Sequence, residues 1–363
     1  MTAVDLGLPS AQRPAGGMPT EGPMVDTFGR VATDLRVSLT DRCNLRCTYC
    51  MPAQGLDWLP GGDLLSAGEL TRLLGIAVTA LGVTSVRFTG GEPLLAKHLE
   101  DVVAATADLH PRPEITLTTN GIGLATRAAK LKQAGLDRIN VSLDTVDAAR
   151  FARITRRDRL HDVLAGLAAA KAAGLEPVKV NAVLDPVTGL DDAVALLHYC
   201  LDRGYQLRII EQMPLDAGHE WTRDHAVAAD GVLAVLHRHF DLRPDTAPRG
   251  SAPAEMWDVF DGPDGPDGPK GASVVVGKVG VIASVSHEFC AACDRTRLTA
   301  DGQVRNCLFA RRETDLRGLM RAGATDAELA LAWRTAMWAK AAGHGINAAD
   351  FVQPDRPMSA IGG

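Results

Sequence analysis

Six short β-branched runs alternate with Ala/Leu-rich amphipathic segments between residues 35 and 213, and this rhythm limits the fold more than any other feature. The strand-like runs are 35–39, 85–89, 115–119, 138–143, 177–183 and 206–213. Helical periodicity fills 66–81, 93–109, 124–134, 147–174 (with a break) and 190–203. Gly82, Gly135, Gly174 and Gly204 each follow a helical stretch and precede a strand, the position where helices commonly stop. Strands that each lead into a helix predict a parallel sheet with right-handed crossovers. Six such units fall short of a closed eight-unit barrel. The expected fold class is therefore α/β, as a curved open sheet or a partial (β/α)6 TIM-like barrel. In both, the working face lies at the C-terminal ends of the strands.

Residues with chemical character gather at those ends. Residues 41–50 follow the first run, Gly90, Gly91 and Glu92 the second, Asn120 and Gly121 the third, Asp144 the fourth, and Met213 and Pro214 the sixth. The flanks read differently. Residues 1–24 are rich in Pro, Gly and small side chains without a period, so a disordered tail is expected there. The barrel is expected over 25–245 and a distinct C-terminal region over 246–363. That region opens with an Asp-Gly-Pro repeat at 261–271, read as a flexible surface insertion. Short runs at 273–276 and 279–284, a helical pattern at 328–342 and a terminal Gly362-Gly363 complete it.

Hydrophobic residues make up 46 % of the 363, which excludes a wholly disordered chain and is enough for a core. Lys and Arg number 38 against 44 Asp and Glu, a net charge of −6. A mildly acidic balance excludes a global footprint for nucleic acid or an anionic membrane, but leaves room for a local arginine cluster around a phosphorylated small molecule. No apolar run approaches the roughly 18 residues of a bilayer span, and the 73–83 stretch reads as a helix of a water-soluble domain. Asp5 and the lack of an early basic region argue against a secretory signal, so a cytoplasmic location is expected.

Seven cysteines without a signal peptide do not suggest a disulfide framework. Cys200 lies in an apolar stretch and reads as a buried small hydrophobe. The other six form two triads. Cys43, Cys47 and Cys50 sit in eight residues after the first strand-like run, with gaps of three and two. Soft thiolates select zinc or iron–sulfur. Structural zinc usually shows paired C-x-x-C knuckles, which this spacing lacks, and electron-transfer clusters usually have four protein ligands. Three ligands instead leave one iron of a cluster open. Cys290, Cys293 and Cys307 form the second triad, read as another open cluster or as structural zinc completed by His287. Beside it, Arg295 and Arg297 share one face of an extended segment, where guanidinium forks suit phosphate oxygens, the alternative being a solvated surface pair.

The first triad, with Gly90-Gly91-Glu92-Pro93 after the second strand-like run, resembles the radical S-adenosylmethionine superfamily. Read alone, the two glycines would be a tight turn. In that superfamily the open iron chelates S-adenosylmethionine, and one-electron cleavage releases a 5′-deoxyadenosyl radical. Within it, the chain resembles the GTP 3′,8-cyclase family of molybdenum cofactor biosynthesis. The marks are LRVSLTDR at 35–42, RFTGGEPL at 87–94, TTNG at 118–121, NVSLD at 140–144, VKVN at 178–181, EQM at 211–213, the second triad with its Arg-Thr-Arg, and RPMS with the final Gly-Gly.

That resemblance implies a C-terminal extension carrying a second iron–sulfur cluster, hence two 4Fe-4S clusters in all. Tyr49, Gly91, Ser142 and Met213 are then expected to contact S-adenosylmethionine. Arg36, Arg87, Thr118, Lys179, Arg295, Thr296 and Arg297 are expected to contact GTP, with guanine at the second cluster. Several cations converging on a triphosphate agree with this physically. On alternation alone Lys179 would read equally well as an outward strand lysine, and Thr118, Ser142 and Met213 as ordinary sheet residues. The implied product is (8S)-3′,8-cyclo-7,8-dihydroguanosine 5′-triphosphate, which passes to a downstream cyclic pyranopterin synthase. No pattern names the electron donor, and a homodimer stays open. The terminal Gly-Gly reads as a frayed end or as a probe entering the site. The competing functions are a peptide-maturing radical enzyme, which usually carries more cysteines beyond the barrel, and a non-catalytic zinc-binding regulator.

Overall fold

The computed structural model describes residues 8–9, 17–261 and 274–362. One twelve-stranded sheet organises them, in the order β12-β11-β10-β1-β2-β3-β4-β5-β6-β9-β8-β7. Its first six strands are β1 (Asp34–Ser38), β2 (Ser85–Thr89), β3 (Glu114–Thr119), β4 (Arg138–Ser142), β5 (Lys179–Val183) and β6 (Gln206–Ile210). All six neighbour one another in parallel, as the βα rhythm predicts. The helices between them are α1 (Ala67–Thr79), α2 (Leu99–Ala107), α3 (Leu124–Gln133), α4 (Ala148–Thr155), α5 (Leu160–Ala172) and α6 (Gly189–Arg203).

Local chemistry sets the helix ends. Ser66 and Glu69 close a reciprocal capping box at the start of α1. Gly204 ends α6 at φ 68°, a left-handed conformation that glycine adopts without strain. The helical pattern 93–109 divides into a 3₁₀ turn, Pro93–Leu95, and α2, and 147–174 divides into α4 and α5 at Arg156, φ 54°.

The sheet grows at both edges with C-terminal strands. After α7 (Ala229–His239) come β7 (Asp241–Pro244), β8 (Glu255–Asp261) and β9 (Val274–Ile282). β9 lies parallel to β6, and β8 and β7 continue antiparallel. The runs 273–276 and 279–284 are thus largely one strand. Gly277 within it faces α6, where a Cβ would stand 2.4 Å from Leu201 Cδ2. At the other edge β10 (Arg295–Leu298) lies parallel to β1, followed by β11 (Gln303–Arg305) and β12 (Thr314–Asp315). The result is a curved, open, partial barrel with antiparallel ribbons at both rims.

The expected boundary at 245 does not interrupt this sheet, since β7 before it pairs with β8 after it and β10 pairs with β1. The expected tail shortens too. Met24 is fully buried, and its amide donates to Leu81 O at 3.1 Å. Residues 1–7, 10–16 and 262–273, which take in all but the first residue of the insertion expected at 261–271, lie outside the described residues, as does Gly363 of the terminal pair.

Alternation along the strands splits the sheet into two faces. Leu35, Val37, Val86, Phe88, Ile115, Leu117, Ile139, Val141, Val180 and Leu207 are buried toward the helices in one continuous core. A second apolar cluster, Leu215, Val285, Phe309, Ile346 and Ile361, joins the C-terminal region to the segment after β6. It completes the fold with α8 (Leu316–Arg321), α9 (Asp326–Trp338) and α10 (Met358–Ile361).

Candidate active site

The loop after β1 carries the first triad. Its backbone is tied to α4 through Arg46 N to Thr155 O (3.0 Å) and Thr48 N to Ile154 O (2.9 Å), while Arg156 Nη1 donates to Arg46 O and Met51 O at 3.0 Å. Burial, with the Cys43 thiol beside it, pushes Cys50 up to about 12, and burial raises Cys43 and Cys47. A metal cation among these sulfurs reverses that balance, because a coordinating thiol is deprotonated outright.

Gly90 and Gly91 pack on that loop. A Cβ on Gly91 would lie 2.3 Å from Arg42 O and 2.4 Å from Asp41 O, and one on Gly90 2.5 Å from Thr40 O. The Gly91 amide donates to Thr40 O and the Glu92 amide to Arg42 O, both at 2.7 Å. Glu92 is fully buried and accepts from Thr119 Oγ1 (2.6 Å), Asn120 N (2.7 Å) and Leu94 N (2.9 Å). Burial pushes its carboxyl up to about 7 against those hydrogen bonds. Asn120 Nδ2 donates to Asn44 Oδ1 at 2.6 Å and lies 3.9 Å from Cys43 Sγ. Tyr49 hydroxyl donates to Asp144 Oδ2 at 2.8 Å. Burial lifts Asp144 to about 6 and, together with that carboxylate, raises the Tyr49 phenol well above its usual value.

The concave face of the sheet is polar. Strand register places Arg36 beside Arg87 on one side and Arg297 on the other, Asn140 beside Lys179, and Asn181 beside Arg208. Five cations here feel their own crowding. Burial, then neighbouring guanidiniums, lowers Arg87 to about 9, Arg208 to about 10 and Lys179 to about 7, and lowers Arg36 and Arg297 as well. Arg36 Nε, Arg87 Nε, Arg138 Nη1, Arg208 Nε, Asn140 Oδ1 and Asn181 Oδ1 are buried without a hydrogen-bond partner. Two carboxylates stand near: Asp34, 3.9 Å from Arg36, and Glu114, which pairs with Arg138 at 2.6 Å. Buried polar atoms are normally paired, so the four orphaned guanidinium nitrogens fit an anionic ligand, while the two asparagine oxygens call for donor groups on it. Arg138 and Arg208 escaped the sequence reading, although Arg-Ile-Asn-Val-Ser in β4 shows the alternation that turns Arg138 and Asn140 inward.

At the opposite rim stands the second triad. Arg295 Nη1 lies 3.7 Å from Cys293 Sγ, and its guanidinium stacks over Phe289 at 5.3 Å. Burial raises Cys290 to about 12, whereas at Cys293 the cations Lys340 and Arg295 outweigh burial and bring the thiol to about 7. Arg297 Nη1 donates to the carbonyl of Gly362. Gly362, φ 85°, lies so close that a Cβ would meet Thr89 Cγ2 at 2.8 Å and Ser38 Cβ at 3.2 Å. Gly362 therefore reaches the concave face between β1 and β2.

Thr296 is placed otherwise than its neighbours. It is fully buried on the outer face, and its Oγ1 accepts from Trp333 Nε1 at 2.9 Å. Its side chain therefore does not face a ligand; only its backbone could. Thr296→Val should cost about 1–3 kcal/mol, the usual penalty for a buried donor left unpaired, while changing the KM for GTP less than about twofold. Urea denaturation and steady-state kinetics check both halves. Thr118 does face inward, accepting from Asn140 Nδ2 at 3.3 Å. Ser142 lies at the inward end of β4, and Met213 packs at the edge of the second apolar cluster.

The sulfur spacing bears on what the triads hold. Tetrahedral zinc, with Zn–S bonds of about 2.3 Å, needs sulfurs about 3.8 Å apart. Among the described residues, the trio of Cys, His, Asp or Glu side chains whose ligand atoms all lie within 4.8 Å is Glu288, Cys290 and His344. Neither cysteine triad falls within that span, whereas Cys290 does so with Glu288 and His344. His287 is exposed and does not complete a zinc site.

A barrel-like parallel sheet with an open cysteine triad after its first strand defines a radical S-adenosylmethionine enzyme, and residues 37–200 match the model of the Radical SAM superfamily. Residues 205–346 match the Molybdenum Cofactor Synthesis C model. A solved structure of Streptococcus suis SuiB bound to S-adenosylmethionine shares the fold, with a TM-score of 0.53 and 13 % identity over 91 % of this chain and 76 % of that one. Two GTP 3′,8-cyclases, from Mycobacterium sp. strain KMS and Mycolicibacterium smegmatis, are 72 % and 71 % identical over 100 % of both chains. The chain belongs to the GTP 3′,8-cyclase family.

Proposed function

We propose that the chain converts GTP into (8S)-3′,8-cyclo-7,8-dihydroguanosine 5′-triphosphate, the first step of molybdenum cofactor biosynthesis. The observation that carries this reading is the cation-rich concave face between two cysteine triads, with its orphaned guanidinium nitrogens. Cys43, Cys47 and Cys50 hold one 4Fe-4S cluster, and Cys290, Cys293 and Cys307 a second. When bound, the first cluster and S-adenosylmethionine supply the one-electron chemistry that takes hydrogen from C3′ of the ribose.

The chain's own residues position and shield. Arg36, Arg87, Lys179, Arg208, Arg295 and Arg297 surround the triphosphate, and Thr118 contacts the nucleotide. Tyr49, Gly91, Ser142 and Met213 line the S-adenosylmethionine side. Gly362 closes the space between the two, so the nucleotide is held near its reactive geometry without competing water. The cytoplasm is the proposed place of this activity, on the family resemblance; separately, no described helix is long and apolar enough to cross a membrane. The product passes to a cyclic pyranopterin synthase. The test is anaerobic turnover of GTP deuterated at C3′: deuterium should appear in 5′-deoxyadenosine, and its consistent absence refutes the assignment.

Lys179 gives a pH signature. Burial, then Arg208, Arg138 and Arg87, hold its ammonium at about 7, with Glu114 opposing. Below that pH the charge is present to meet phosphate. Above it, binding must take up a proton, so the KM for GTP should rise by up to about tenfold per pH unit, 1.36 kcal/mol each. A Lys179→Arg variant keeps its charge, and the rise between pH 7 and 9 should largely vanish. Parallel KM profiles for the two proteins would show that Lys179 does not meet the phosphates.

A further inference from the structure

Two buried cations brace the second triad, and neither belongs to the set around the nucleotide. Arg30 donates through Nη1 to Cys290 O and Ala342 O, both at 2.8 Å, and through Nη2 to Ala341 O at 2.6 Å. It is neutralised by Asp26, whose carboxylate also accepts the Arg30 and Phe28 amides. Lys340, two residues beyond α9, is 4 % exposed. Its Nζ donates to Cys293 O at 3.0 Å and Arg295 O at 2.9 Å, and stands 3.3 Å from Cys293 Sγ.

Among the described residues no carboxylate pairs with Lys340. A buried ammonium without a counter-charge is costly, and its nearest anionic prospect is the Cys293 sulfur itself. Its three contacts account for all three ammonium protons. They join the strand that carries Arg295 and Arg297 to the cysteine that precedes it. Where Arg30 fixes the Cys290 side of the loop with its charge already cancelled, Lys340 fixes the Cys293 side with its charge unspent.

We propose that Lys340 is a positioning residue for the second cluster: it presents Cys293 in ligand orientation and lends positive charge to the reduced state of that cluster. This rests on the reading that the second triad holds a cluster at all. The charge lies against a ligand sulfur in a dry setting, where it acts with little screening. Removing it makes the added electron harder to accommodate, so the midpoint potential falls.

The experiment compares wild type, Lys340→Met and Lys340→Gln after anaerobic reconstitution. Met removes both hydrogen bonds and charge, while Gln removes the charge and keeps a donor for a carbonyl. Iron and sulfide content, chelator release kinetics and EPR-monitored redox titration are read, with circular dichroism to confirm folding. Wild type should hold about eight irons per chain. Lys340→Met should lose iron from the second cluster to a chelator at least tenfold faster than wild type. Lys340→Gln should retain it longer, at a more negative potential than wild type, with the first cluster's signal unchanged in both. Eight irons, wild-type release and wild-type potential in either folded variant overturn the role of Lys340. About four irons in the wild type overturn the second-cluster reading instead, so the two failures separate.

Discussion

Replacing Gly91 with alanine is expected to cost the protein its first cluster. The added Cβ would lie 2.3 Å from Arg42 O and 2.4 Å from Asp41 O, both backbone atoms of the segment leading into Cys43. No side-chain rotation relieves such a contact. The loop must move, and the short hydrogen bonds from the Gly91 and Glu92 amides to it would break or stretch. Overpacking in a well-packed interior costs about 1–3 kcal/mol, and contacts with fixed carbonyls fall at the upper end of that range. Iron should fall from about eight to about four per chain, and S-adenosylmethionine cleavage by dithionite-reduced protein should fall about 100-fold or more. Gly61→Ala is the control, since nothing lies within 4 Å of a Cβ there. Full iron content in Gly91→Ala would sink the argument that this glycine exists for the cysteine loop.

This close approach gives the Gly-Gly pair a second reason to be glycine, beyond the turn that a sequence alone suggests. The barrel was legible because its strands are short apolar runs whose pairing follows chain order, so each run predicts its neighbour. The rims were not. β7, β8, β11 and β12 are short or half exposed, and they hold as antiparallel ribbons on one another and on β9 and β10 rather than through an apolar run of their own. Gly277 falls in the gap between the runs read at 273–276 and 279–284, and it marks the place where β9 crosses Leu201 of α6.

The site divides in the same way. Cysteine spacing marked both triads as candidates, and a place after a strand marked the first as well, because ligand spacing is local in sequence. Arg138 and Arg208 were present in the alternation of β4 and β6 but carried no motif. Thr296 shows the opposite failure, for a motif of three consecutive residues cannot put all three side chains on one face of a strand. Lys340 lies 47 residues from Cys293 and was beyond any local signal. Glu92 and Asp144 were marked as strand-end residues. Their roles as acceptors for Asn120 and Tyr49 needed the third dimension.

Deleting Gly362 and Gly363 should separate cluster assembly from cyclisation. The ion pairs and the apolar anchor of the tail lie before them. Arg356 pairs with Asp301 at 2.7 Å and Glu313 at 2.9 Å, Met358 N donates to Leu215 O at 3.0 Å, and Ile361 is buried in the second apolar cluster. Both triads therefore keep their surroundings, and iron content should match the full chain. What is lost is the Gly362 carbonyl on Arg297 and the backbone filling the gap beside Thr89 and Ser38. Arg297 is freed rather than removed, so equilibrium binding of GTP should hold or tighten. Cyclisation should fall about 100-fold or more, the scale of effect expected when positioning near the reacting atoms is disturbed. Cleavage of S-adenosylmethionine should persist, uncoupled from GTP. Anaerobic assays that quantify 5′-deoxyadenosine and cyclised nucleotide side by side distinguish the cases. Equal turnover in the truncated and full chains would make Gly362 an incidental occupant of the concave face. A selective loss of cyclisation would mean that the last residues belong to the active site, brought there by the Arg356 ion pairs and the apolar anchor of Ile361.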